Sequence, residues 1–178
     1  MIDNLIKEWI HQEMSFLKNL FKGKPAQQNT DDQVSLLIPQ VRQVFAEIKS
    51  STQISWTVIL PTASRVAAFL LSNAQGLDDA LKMYKHRLDS IEATERIPPG
   101  AILDIKAPPS TPEEHMLVKA LLLEFANARL GEGFHGAYIG LAMGATTELT
   151  AKMVVDTTYM TWLVKQSYEE LVSGGIKL

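Results

Sequence analysis

The sequence predicts an all-α fold: an antiparallel bundle of five to seven helices, with an amphipathic N-terminal helix on a flexible linker. Two observations support this prediction. Apolar residues recur every three or four positions through most of the chain, and glycines, prolines and capping residues separate these stretches. Alternation typical of a strand occurs only in "QISWTVIL", where a lone strand would have no partner. Residues 53–60 are therefore either buried helix or extended connector.

Residues 2–21 form the clearest amphipathic pattern, with apolar and polar side chains on opposite sides of a helix. Gly23 and Pro25 end the pattern, and a polar stretch follows. We therefore expect three parts: an arm over residues 1–24, a linker over 25–33 and a bundle domain over 34–173. The apolar positions expected to bind a partner are Leu5, Ile6, Trp9, Phe16, Leu17 and Leu20.

Glycine and proline residues divide the first half of the bundle domain into separate predicted helices. A helix capped by Asp31 or Asp32 is expected to run to Lys49, with Pro39 either kinking it or marking its first turn. Further helices are predicted over residues 62–74 and 78–95, with Gly76 between them. Residues 96–112 contain five prolines, which predict an extended surface connector.

The stretch "STPEEH" predicts a helix start: Thr111 as N-cap, Pro112 at the first helical position and two glutamates near the positive end of the dipole. Because the helix over 112–130 is apolar nearly all round, we expect it to be the central helix of the bundle. Residues 134–172 are helical throughout, with a bend expected near Gly144–Thr147. Asp156 lies one turn from Lys152 and is expected to pair with it.

The glycine-rich stretch "RLGEGFHGAYIGLAMG" contains the G-x-G-x-x-G spacing of a dinucleotide-binding loop. That loop needs a strand before its first glycine, whereas a capped helix precedes this one. Gly136, Gly140 and Gly144 instead recur on one face of a helix, where glycine permits close helix packing. The neighbour is either the protein's own bundle, which we favour, or a second copy.

Metal binding rests on weaker patterns. Glu132–His135 and Glu8–His11 both match E-x-x-H, which di-metal helical bundles use together with further glutamates such as Glu124. However, Glu132 falls in a predicted turn and Glu8–His11 on the polar side of the arm. Solvated polar residues are therefore the preferred interpretation, and no cofactor is expected.

Composition excludes several classes of protein. The absence of cysteine removes disulfides and thiolate sites, and a net charge of −3 argues against general nucleic-acid binding. The longest uncharged runs are fifteen residues, short of a membrane span, and the N-terminus lacks the pattern of a signal peptide. A cytoplasmic location is expected.

These observations favour a non-enzymatic helical adaptor or assembly subunit, which binds a partner protein or a second copy of itself. The arm and the glycine face are the expected contact surfaces. The alternative is a helical bundle that binds a metal or a small apolar ligand and uses it for redox chemistry.

Overall fold

The computed structural model describes residues 30–98, 100–101, 103–106 and 109–178. All regular secondary structure in these residues is helical, which confirms the predicted all-α fold. The arm, with its predicted partner-binding residues, and most of the linker lie outside the described residues. The six helices of the described part are α1 Thr30–Thr52, α2 Trp56–Gln75, α3 Leu77–Thr94, α4 Pro112–Gly131, α5 Gly136–Val154 and α6 Thr157–Val172.

The first two helices are longer than the sequence pattern predicts. α1 begins at Thr30, within the stretch expected to be linker, and Pro39 lies inside it. α2 begins at Trp56, where the hydroxyl of Ser55 accepts a hydrogen bond from the Thr57 amide and caps the helix. Residues 53–55 are thus connector, and the alternation that follows them belongs to a helix.

The predicted start of α4 is confirmed. The Thr111 hydroxyl accepts a hydrogen bond from the Glu114 amide, and the Glu114 carboxylate accepts one from the Thr111 amide, both at 3.3 Å. This reciprocal capping box satisfies two backbone donors that a helix start leaves without partners. The described residues between α3 and α4 have no regular secondary structure, in agreement with the proline-rich connector.

The bend predicted near Gly144–Thr147 is wrong. α5 continues through these residues and ends at Val154, and Asp156 caps α6 by accepting a hydrogen bond from the Tyr159 amide at 2.7 Å. The predicted pairing of Asp156 with Lys152 is also wrong, because the Lys152 ammonium lies 2.6 Å from Glu95. Asp156 is therefore the N-cap of α6 and not the ion-pair partner of Lys152.

The prediction that the helix over 112–130 is central is wrong as well. α5 is the central helix: it packs on α2, α1 and α6, and its closest association is with α2. Most of α2 and α5 is buried, whereas α4 buries only Val118, Leu122 and Ala126 fully. α4 lies at the edge of the bundle, packed mainly on α2.

Among the residues that the structure describes, one helix, α2, is long and apolar enough to cross a membrane by length and composition, with a mean hydropathy of 1.2 over its best window. Within the fold, 61% of that window is buried against the other helices. The position of α2 in the core, beside α5, therefore accounts for its long apolar sequence.

Candidate functional site

The peripheral position of α4 leaves apolar side chains at the surface. Leu117 is 45% exposed on α4, and Leu36 is 61% exposed on α1. On α4, Leu117 shares one side of the helix with Leu121 and Ala128, since these positions follow helical spacing. The surface beside α4 is thus an apolar stripe that the bundle itself does not cover.

A groove runs beside this stripe, between α4 and α1, and has a volume of about 350 Å³. Each helix contributes two larger apolar side chains, and carboxylates lie among the other lining residues. The lining residues are Val44, Glu47, Ile48 and Ser51 from α1, and Leu121, Glu124, Phe125 and Ala128 from α4. α1 and α4 contact each other over only a short stretch, because each packs mainly on a different central helix.

The two walls of the groove are antiparallel. The Arg129 guanidinium donates a hydrogen bond to the side-chain oxygen of Gln40, so the end of α4 meets the first half of α1. From this contact, α1 continues forward to Ser51 while α4 runs back to Leu121. Leu117 lies one turn beyond Leu121 at one end of the groove, whereas Leu36 lies about two turns before Val44, outside the groove.

Arg129 holds several groups together at one end of this groove. Besides Gln40, its guanidinium lies 3.3 Å from the Glu132 carboxylate and 5.2 Å from the centroid of the Phe125 ring. A guanidinium over an aromatic face is attracted by the ring quadrupole. Arg129 therefore fixes the orientation of one of the main apolar side chains in the groove.

The charge of the groove is carried by Glu47 and Glu124, one on each wall and both exposed. Apolar side chains between two helices, bordered by carboxylates, suit an amphipathic helix with basic residues beside its apolar stripe. Glu124 was predicted as a candidate metal ligand, and this groove was not predicted. The spacing of Leu117, Leu121 and Ala128 on a helix with charged residues was the available signal.

The three glycines of the predicted packing face differ in their surroundings. A Cβ atom on Gly140 would lie 2.9 Å from Leu71 Cγ and 3.0 Å from the Ala67 carbonyl oxygen. On Gly136 and Gly144 it would meet its nearest neighbours at 3.5 and 3.8 Å, which are ordinary contacts. The close approach at Gly140 is to α2 of the same chain.

The residues predicted as candidate metal ligands each have different neighbours in the structure. His135 caps α5, with its Nδ1 accepting a hydrogen bond from the Ala137 amide at 3.1 Å. Glu132 pairs with Arg129, and Glu124 lines the groove. Within the described ranges, no group of three or more histidine, aspartate and glutamate side chains is placed to hold a metal ion. Glu8 and His11 lie outside those ranges.

A buried ion pair joins α3 to the central helix and was not predicted. The Arg87 guanidinium lies 2.8 Å from the Glu148 carboxylate, and the two side chains are 13% and 11% exposed. The pair borders a small hollow of about 40 Å³ next to Gly140 and Gly144. Residues 61 positions apart in sequence give no local sign that they meet.

A hydrogen-bonded chain of side chains links the proline-rich connector, α4 and α2. The Ser110 hydroxyl lies 2.7 Å from His115 Nε2, and His115 Nδ1 lies 3.2 Å from the Thr62 hydroxyl. Thr62 in turn donates to the Val58 carbonyl oxygen, so it accepts from Nδ1 and leaves Nε2 to accept from Ser110. The chain holds the start of α4 against α2.

Tyr159, near the start of α6, is buried and, unlike the side chains of that hydrogen-bonded chain, leaves its polar group unpaired within the described part of the molecule. Its hydroxyl has no hydrogen-bond partner among the described residues, and its ring centroid lies 5.4 Å from that of Trp162. Burial raises the pKa of Tyr159 to about 12 by disfavouring the phenolate. Tyr159 belongs to the core, where it is 5% exposed.

No family model, curated protein or solved structure matches this chain. The function is therefore argued from its own geometry.

Proposed function

We propose that this protein is a non-enzymatic helical adaptor or assembly subunit, whose α1/α4 groove binds an amphipathic helix of a partner protein. The observation that carries the proposal is the apolar groove itself, with Leu117 exposed one turn beyond Leu121 at one end. A monomeric fold normally buries such a stripe or uses it for binding. The partner is either another protein or a second copy of the chain.

The dimensions of the groove favour a helix as its occupant. The lining residues of α1, from Val44 to Ser51, extend about 10 Å, because a helix rises about 1.5 Å per residue. Two turns of a helix fit this length and present apolar anchors at three- and four-residue spacing. Residues such as Val44 and Phe125 would contact those anchors.

The carboxylates of Glu47 and Glu124 favour lysine or arginine beside the apolar stripe of that helix. Such rim charges contribute more to orientation and association rate than to affinity. The proposal requires no cofactor, nucleic acid or membrane, and the cytoplasmic location stays a prediction from the sequence.

Site-specific photocrosslinking in cells of the source organism tests this proposal. A photoreactive amino acid replaces Leu117 in the full chain, and a matched variant carries it at Lys82 on α3, whose side chain is 64% exposed. We expect the Leu117 variant to form a covalent adduct with one protein, and the Lys82 variant not to form it. Mass spectrometry of the adduct distinguishes another protein from a second copy.

Two results would contradict the proposal. One is that the Leu117 variant forms no protein adduct, which would mean that the groove has no partner. The other is the same set of adducts from both positions, which would indicate random collision.

A further inference from the structure

The hydrogen-bonded chain of Ser110, His115 and Thr62 has the geometry of an activated nucleophile. Ser110 Oγ lies 2.7 Å from His115 Nε2, and His115 Nδ1 lies 3.2 Å from Thr62 Oγ1. A serine that contacts a base, with a third group orienting that base, is the arrangement used in nucleophilic acyl transfer. We propose that Ser110 is a nucleophile activated by His115, and that it accepts a small acyl group from an activated ester bound in the adjacent pocket.

The direction of the hydrogen bonds is the one that this activation requires. Thr62 is 8% exposed and donates to the Val58 carbonyl oxygen at 2.8 Å, so its oxygen accepts from the Nδ1 proton of His115. A neutral imidazole carries one proton, which leaves the lone pair on Nε2 to accept from the Ser110 hydroxyl. His115 can therefore take the serine proton, and Thr62 is its positioning residue.

The backbone around the chain is fixed by the start of α4. The capping box of Thr111 and Glu114 lies between Ser110 and His115 in sequence, and it holds both ends of this short segment in place. Thr62 lies on α2, against which α4 packs. The Ser110 side chain itself is exposed, so a small molecule can reach its hydroxyl.

A pocket of about 170 Å³ adjoins His115 between α2 and α4. It offers an apolar surface for an acyl chain and two cationic side chains. One of these, Arg65, is already paired with Glu170 at 3.0 Å, so Lys119 is the cation assigned to the reaction. The lining residues are Pro61, Thr62, Arg65, His115, Met116, Lys119 and Leu178.

The reaction needs only the ester and these side chains. Ser110 Oγ attacks the carbonyl carbon of the ester, and the hydroxyl proton passes to His115 Nε2. The Lys119 ammonium stabilises the negative charge that develops on the carbonyl oxygen. The bond to the leaving alcohol then breaks, and Nε2 returns the proton to the departing oxygen. The acyl group stays on Ser110, so each chain reacts once, without oxidation or reduction.

This modification goes beyond the proposed function, because it takes place on another side of α4. Helical spacing separates His115 and Lys119 from Leu121 and Ala128, which line the groove. A chain can therefore carry an acyl group on Ser110 while its groove holds a partner helix. Crosslinking through the groove and acylation of Ser110 are independent outcomes.

Acetylation of the full chain by p-nitrophenyl acetate tests the proposal. Mass spectrometry of proteolytic peptides gives the acetylation rate of each serine, and Ser50 is the internal reference. Ser50 is exposed on α1, and its hydroxyl donates to the Glu47 carbonyl oxygen at 3.2 Å, a group that cannot take up the proton. We expect Ser110 to react about 100-fold faster than Ser50, through general-base assistance.

Variants of the full chain assign the roles within the site. His115→Gln should lower the rate at Ser110 to that of Ser50, whereas His86→Gln on α3 is the matched control and should leave it unchanged. Thr62→Val cannot accept from Nδ1 and should lower the rate several-fold, and Thr62→Ser should restore it. Circular dichroism of each variant checks that its helix content is retained.

Four results would overturn the proposal or one of its parts. Equal rates at Ser110 and Ser50 in the unmodified chain would overturn it without any variant. A fast reaction that His115→Gln does not slow would overturn the role of His115. Acetylation of Lys119 in preference to Ser110 would overturn the identity of the nucleophile. Release of p-nitrophenolate well beyond one molecule per chain would overturn the single reaction and indicate a hydrolase.

Discussion

α4 and α5 are both rich in apolar residues, yet one lies at the edge of the bundle and the other at its centre. Ten of the nineteen residues of α5 are glycine, alanine or threonine, against four of twenty in α4. Small side chains allow neighbouring helices to approach from several directions. The leucines and Phe125 of α4 hold neighbours farther away, and its five charged residues need access to water.

The comparison teaches that apolar content alone does not identify a central helix. Side-chain size decides how many neighbours a helix can accept, and the number of charged residues decides how many sides must stay exposed. α5 carries only Glu148 and Lys152, and both have ion-pair partners. Substitutions in the two helices should therefore differ in cost according to position, and three predictions test this.

The largest effect is expected at the ion pair on α5. Glu148→Leu removes the carboxylate beside the buried Arg87 guanidinium and should lower the free energy of unfolding by about 3–5 kcal/mol in urea denaturation. Adding Arg87→Met should recover most of this loss. At the exposed pair between Lys85 and Asp89, Asp89→Ala should cost under about 1 kcal/mol. Equal losses of unfolding free energy at the two pairs would contradict the expected difference between a buried ion pair and an exposed one.

A leucine pair on α4 separates its buried side from its groove side. Leu122→Ala removes a fully buried side chain and should lower the free energy of unfolding by about 2–5 kcal/mol. Leu117→Ala, on the exposed stripe, should change it by no more than about 0.5 kcal/mol in the isolated protein. Urea denaturation of both variants measures the two values, and equal losses would contradict the difference between the buried side and the groove side.

The smallest effects are expected at two glycines of α5, and they should have opposite signs. Gly140→Ala forces a Cβ against α2 and should destabilise the fold by about 1–3 kcal/mol. Gly144→Ala meets only an ordinary contact with Ala67 and should stabilise the fold by up to about 1 kcal/mol, through helix propensity. Thermal denaturation of both variants measures the sign. Stabilisation by both substitutions would show that α2 and α5 can separate freely.

The fold class and the local helix signals could be predicted from the sequence, because they depend on residues close together in the chain. The start of α4 is an example: Thr111, Pro112 and Glu114 lie within four positions. The break between α5 and α6 was predictable in principle from Asp156, a good N-cap residue. It was misplaced because Thr146 and Thr147, followed by Glu148, form an earlier capping pattern in the sequence.

The groove and the buried ion pair depend on contacts between distant residues, and the sequence alone did not reveal them. Arg87 and Glu148 meet only after α3 and α5 have packed. The groove exists because α1 and α4 associate with different central helices, and no local pattern states which helices associate. Glu124 was identified from the sequence as a candidate metal ligand, but its neighbours on α1 could not be inferred.

The contact at Gly140 also has a mechanical consequence. The backbones of α2 and α5 are in close contact at Gly140. Sliding one helix along the other would therefore cause steric clashes between them. α1 and α4 share little contact, so the spacing between them can widen without disturbing the central pair. The fold thus combines a rigid central helix pair with an outer α1/α4 groove whose width can change, and the proposed partner helix would use this freedom.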